Sequence, residues 1–93
     1  MKKSVAIGII GDFDKTRASH AAINQALVHA SYQLNIKLKT DWLTTPLFET
    51  TKAKEILKKY GGIIASGSPY KSMKGVLAGI KAARESNIPF IGT

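Results

Sequence analysis

Apolar and polar positions along the 93 residues alternate between two periods. Val5–Ile10 (VAIGII) is a continuous apolar run, too short for a helix and rich in β-branched residues, so it predicts a strand buried on both faces. Burying Val5, Ile7, Ile9 and Ile10 favours folding by roughly 6–12 kcal/mol before chain entropy is counted. A helical period follows from about Arg17 or Ser19 to Gln33, with Ile23, Leu27, Ala30 and Leu34 in its apolar stripe and Ala26 between them. In Leu38–Leu43, the residues Leu38, Thr40 and Trp42 alternate with Lys39, Asp41 and Leu43. That half-exposed pattern suits a strand at a sheet edge. Thr44-Thr45-Pro46 predicts a turn. A helix from about Thr51 to Lys59 turns Ile56 and Leu57 inward, and Tyr60-Gly61-Gly62 closes it with a glycine free to take a left-handed cap.

The last third repeats the scheme. Ile63-Ile64-Ala65 is an apolar run between glycines and the break Ser66-Gly67-Ser68-Pro69, and predicts a third strand. Met73, Val76, Leu77, Ile80 and Ala83 then recur at helical spacing, with Ser72 placed to cap the first turn. Asn87 ends this helix, Pro89 prevents its continuation, and Phe90-Ile91 begins a fourth strand. The order β-α-β-α-β-α-β with short connections predicts a three-layer α/β/α fold. Its sheet is parallel and flavodoxin-like, with strand order 2-1-3-4. Sites in such sheets lie at the carboxyl ends of the strands, here Gly11–Asp14, Ser66–Pro69 and the end of the fourth strand.

Composition narrows the classes. A chain of this length is one domain at most and buries roughly 60–65% of its unfolded surface. Fourteen basic and six acidic residues give a net charge of +8. The basic residues are scattered over polar positions, with no run of five and no basic–aromatic interleaving. This is a solvated surface rather than a nucleic-acid interface, and no nucleic-acid partner is expected. The excess also suits half of a larger domain whose other half is more acidic. No apolar run approaches the ~18 residues of a membrane span. Met1-Lys2-Lys3 mimics a secretory start, but Asp12 and Asp14 stand where a cleavage site belongs, so a cytoplasmic location and no membrane partner are expected. Zero cysteines exclude disulfides and thiolate catalysis within these residues and argue against structural zinc.

Candidate chemistry is sparse. Gly8 and Gly11 in G-x-x-G-D do not make the dinucleotide fingerprint G-x-G-x-x-G, and serve close packing and strand exit. His20 and His29 are nine residues apart, about 180° around a helix, so they cannot share a metal ion. Each is expected to be a surface or packing histidine.

Three stretches nevertheless carry a family likeness: Ala65-Ser66-Gly67, Ala83-Arg84-Glu85-Ser86-Asn87-Ile88-Pro89 and Ile91-Gly92-Thr93. They resemble the class I glutamine amidotransferases, most closely the amidotransferase domain of CTP synthase. There a strand leads into P-G-G, a helix ends A-R-E-x-x-I-P, and the next strand ends G-x-C. HAAINQALVHAS is also similar to the family's first helix. Gly11-Asp12-Phe13 departs from the G-K-Y of CTP synthases and reverses a charge. The resemblance spans the chain, but only the first half of the family's domain, and is weakest between Thr44 and Lys59.

The resemblance implies glutamine as substrate and hydrolysis through a thioester, supplying ammonia for CTP formation in pyrimidine biosynthesis, a ligase reaction with no cofactor and no metal. It places one oxyanion N–H at Ser66, glutamine binding at Gly67, and Ser68 at the position of the family's aromatic residue. It places the nucleophile directly after Thr93, so no catalytic side chain is expected within these residues, which would form a single incomplete domain. Truncation and a UGA codon for selenocysteine, misread as stop, both remain open for that end. An alternative keeps the fold without the enzyme: a flavodoxin-like module binding an anion or nucleotide at the rim, assisted by Lys71 and Lys74. Without its second half, the fourth strand is expected to expose an apolar edge. The chain is then expected to dimerise with Ile63, Phe90 and Ile91 in or near the interface.

Overall fold

The computed structural model describes residues 3–14, 16–49, 52–66 and 70–92. The strands are β1 (Ser4–Ile10), β2 (Lys37–Leu43), β3 (Gly62–Ala65) and β4 (Phe90–Gly92). They form one parallel sheet in the order β2-β1-β3-β4, as the alternating pattern predicts. Ile7 stands opposite Thr40 on one side and Gly62 on the other, and Ile63 stands opposite Phe90. The helices are α1 (Ala18–Leu34), α2 (Ala53–Leu57) and α3 (Met73–Glu85), with a 3-10 helix at Thr45–Glu49.

Successive residues of β1 point to opposite faces, yet Ile9 and Ile10 are both fully buried. Ile10 joins Leu43, Phe48, Leu57, Ile63 and Val76 in a core beneath α2, α3 and the 3-10 helix. The 3-10 helix replaces the simple turn expected around Pro46, and it carries Phe48 into that core. Phe48 in turn decides how α3 sits. Met73 and Leu77, expected inward, are exposed, whereas Gly75, Val76, Gly79, Ala82 and Ala83 are buried. A Cβ at Gly79 would lie 3.1 Å from Phe48 Cγ, so the helix rotates its smallest residues toward the ring. Ser72 caps α3 as predicted, its hydroxyl accepting the Gly75 N–H at 2.9 Å, a contribution of about 1 kcal/mol.

On the other face α1 lies without a second described helix beside it. Its stripe is therefore only half-buried at Ile23, Leu27 and Ala30, exposed at Ala26 and Leu34, and fully buried only at His20. The left-handed positions fall to asparagines rather than glycines: Asn35 (φ 51°) after α1 and Asn87 (φ 56°) after α3. No described glycine has positive φ. The cap expected at Tyr60-Gly61-Gly62 gives way to a shorter α2, which ends at a right-handed Lys58.

Candidate active-site rim

The carboxyl ends of the strands are joined by one buried carboxylate. Asp12, just past β1, accepts from the Thr45 N–H (3.0 Å) and, at its other oxygen, from the Thr45 hydroxyl (2.7 Å) and the Lys71 N–H (2.7 Å). The Thr45 hydroxyl oxygen also accepts the Ser72 N–H at 2.9 Å. The exits of β1 and β2 and the entry to α3 are thereby one hydrogen-bonded unit. Burial pushes the Asp12 carboxyl up. The Lys71 N–H, the Thr45 hydroxyl and the Thr45 N–H outweigh it, with the Lys71 charge assisting, and hold the group below its usual 3.8. The sequence marked this residue by its place in the rim stretch Gly11–Asp14 and as a reversed charge in Gly11-Asp12-Phe13, whereas Thr45 gave no signal.

Beside the clasp, His20 is fully buried and its Nδ1 accepts the Asp14 N–H at 3.0 Å. Its ring lies against Trp42 (5.0 Å between centroids) and Phe13 (6.2 Å), and Trp42 Nε1–H donates to Asn24. It is a packing histidine in the first turn of α1 that anchors the rim loop at Asp14, and His29 is exposed on the far side of α1.

Ser66 is fully buried at the end of β3. Its N–H donates to the Ile10 carbonyl at 3.0 Å, and its carbonyl accepts the Tyr70 hydroxyl. A Cβ at Gly11 would lie 2.0 Å from Ser66 Oγ and 3.0 Å from Ser66 Cβ, so glycine at position 11 leaves room for the Ser66 side chain where β1 and β3 meet at the rim. Burial raises the Tyr70 hydroxyl above its usual 10.0, keeping it a donor to Ser66. Gly67, Ser68 and Pro69 lie outside the described residues, as does Thr93. Lys71 and Lys74 are exposed at the entry to α3.

A parallel 2-1-3-4 sheet with its loops clasped at the carboxyl ends defines a flavodoxin-like α/β fold. The chain belongs to the class I glutamine amidotransferases: the family model, glutamine amidotransferase class-I, matches residues 18–93. It is 37% identical over 94 residues to the CTP synthase of Saccharolobus solfataricus, covering 98% of this chain and 18% of that protein. It is 30% identical over 89 residues to the CTP synthase of Campylobacter jejuni, covering 95% of this chain and 16% of that one. The chain therefore spans about a sixth of the length of these curated relatives. The glutaminase domain of Trypanosoma brucei CTPS, solved with bound acivicin, shares the fold. Its TM-score is 0.79 at 22% identity, covering 95% of this chain and 35% of that one. No helix among the described residues is long and apolar enough to cross a membrane.

Proposed function

We propose that these residues form the glutamine-facing part of a CTP-synthase-like amidotransferase, in which glutamine is hydrolysed to supply ammonia for CTP formation. The observation that carries this is the tie of Lys71 and Ser72, at the entry to α3, to Asp12 and Thr45 at the carboxyl rim, in a chain whose relatives are CTP synthases. In this reading Ser66, Gly67 and Ser68 are the residues that contact glutamine. For Ser66 to serve an oxyanion, its N–H exchanges the Ile10 carbonyl for the developing charge. The chain has no cysteine, so in this reading the attacking thiol or selenol comes from polypeptide outside these residues. Ligand-dependent melting tests the assignment. L-glutamine should raise the melting temperature and D-glutamine should not. A rise with phosphate or a nucleotide, and none with L-glutamine, would replace it with an anion-binding module.

The sheet face beyond α1 supports self-association. Ile7, Leu27, Gly62, Ile64, Pro89 and Ile91 line an apolar groove of about 280 Å³ beside the outer edge of β4. Ile91 is 65% exposed, Ile63 also lines the groove although it is otherwise buried in the core, and Phe90 packs against that core from the edge. A two-fold pairing across β4 would cover this groove. Ile91→Lys should convert a sedimenting dimer to monomer while leaving the melting transition in place. A wild-type chain that sediments as monomer at all concentrations would refute the pairing.

A further inference from the structure

The sheet ends on its other side at β2, and among the described residues nothing pairs with that outer edge. Its seven residues leave a row of backbone N–H and C=O groups open to another strand. The two faces of this edge differ sharply. On one, Leu38 and Thr40 join Asn24, Val28 and Tyr32 of α1 around a groove of about 240 Å³. Leu27 lines both this groove and the one beside β4, and so stands between them. Val28 and Tyr32, one helical turn apart, are 58% and 79% exposed.

The opposite face of β2 carries exposed Lys37 and Lys39, and neither makes an ion pair among the described residues. The acidic residue of that face, Asp41, is engaged by the Tyr60 hydroxyl at 2.9 Å, and burial with this bond raises the phenol to about 12. Further exposed lysines gather at the same amino end of the sheet. Lys3 accepts the Lys37 N–H at its carbonyl. Lys58 and Lys59 precede Gly61, whose N–H donates to Ala6 opposite Lys39.

We infer that the free edge of β2, with the groove beside α1, receives an extended segment of another polypeptide in which apolar and acidic residues alternate. A strand added to β2 places its side chains alternately on the two faces, each beside its cross-strand neighbour. One set fills the groove against Val28, Tyr32 and Leu38. The other meets Lys37 and Lys39, and only carboxylates compensate the ammonium groups for the water they lose. Lysines on an edge repel basic strands and lose water without compensation against neutral ones, so the feature that discourages indiscriminate pairing also selects an acidic partner. A second copy does not supply that segment. The chain's own alternation of this kind, Asp12-Phe13-Asp14, is fixed at the rim by Thr45 and Lys71.

The probe is a fluorescein-labelled eight-residue peptide alternating valine and glutamate, followed by fluorescence polarisation at low salt. Controls carry lysine for glutamate, or the glutamates in one block, or are a single-stranded DNA of equal charge. The alternating acidic peptide should bind and add hydrogen-exchange protection over residues 37–43. A Lys37→Glu, Lys39→Glu double variant should weaken binding at least tenfold with its melting temperature unchanged. Tyr32→Glu, at an exposed position, should weaken it comparably. Absence of binding, equal binding of any control, indifference to the variants, or protection at residues 90–92 instead would each overturn the assignment.

Discussion

Replacing Gly75 with alanine should destabilise the protein by about 3 kcal/mol, although the same change inside an ordinary helix stabilises it by about 1 kcal/mol. A Cβ at residue 75 would lie 1.8 Å from the Thr45 carbonyl oxygen and 2.6 Å from its carbon. Both are backbone atoms, so no rotamer change relieves the clash. Either α3 withdraws from the sheet, opening the contact between Gly79 and Phe48, or Thr45 moves and pulls its N–H and hydroxyl off Asp12. Urea denaturation gives the difference directly. A neutral or stabilising Gly75→Ala would mean that α3 and the Thr45 turn are farther apart than described.

The second large effect belongs to Asp12. Asp12→Ala strands three donors, the Thr45 N–H, the Thr45 hydroxyl and the Lys71 N–H, and should cost about 3 kcal/mol at neutral pH. Because the folded-state value is depressed, the carboxylate's contribution is complete above the ordinary 3.8 and is lost as pH falls through the lower folded-state value. The gap between wild type and Asp12→Ala should therefore narrow in acid. Asp12→Asn, which cannot ionise, should remove that part of the pH dependence. A gap that stays constant from pH 7 to below 3 would show that the group is not held as a carboxylate by these donors.

The two effects share Thr45, which the sequence pattern passed over, and the reason is instructive. Strands β1, β3 and β4 announced themselves because an apolar run bounded by glycine or proline has few other ways to be buried. The Ser72 cap and the edge position of β2 were legible for the same local reasons. The Thr45–Glu49 helix was not: Thr-Thr-Pro is also a turn, and nothing local says that Phe48 will reach the core. Once Phe48 is there, tertiary packing overrides the helical period of α3, turning Gly75 and Gly79 inward and leaving Met73 and Leu77 outside. At the rim, Ser66 was marked by its place after β3. The partners that hold its loop come from residues 12, 45 and 71, separated by up to 59 positions, a distance over which no spacing rule operates.

The rim that Asp12 and Thr45 clasp to the entry of α3 carries the functional account, and an amide-resolved titration reaches it most directly. With the uniformly ¹⁵N-labelled 93-residue chain, L-glutamine should shift the amide resonances of Ser66, Gly67 and Ser68, with smaller shifts at Asp12 and Lys71. D-glutamine should leave all of them in place. L-glutamine shifts confined to other surfaces, or a rim that responds to phosphate and not to L-glutamine, would contradict the assignment of these residues to glutamine.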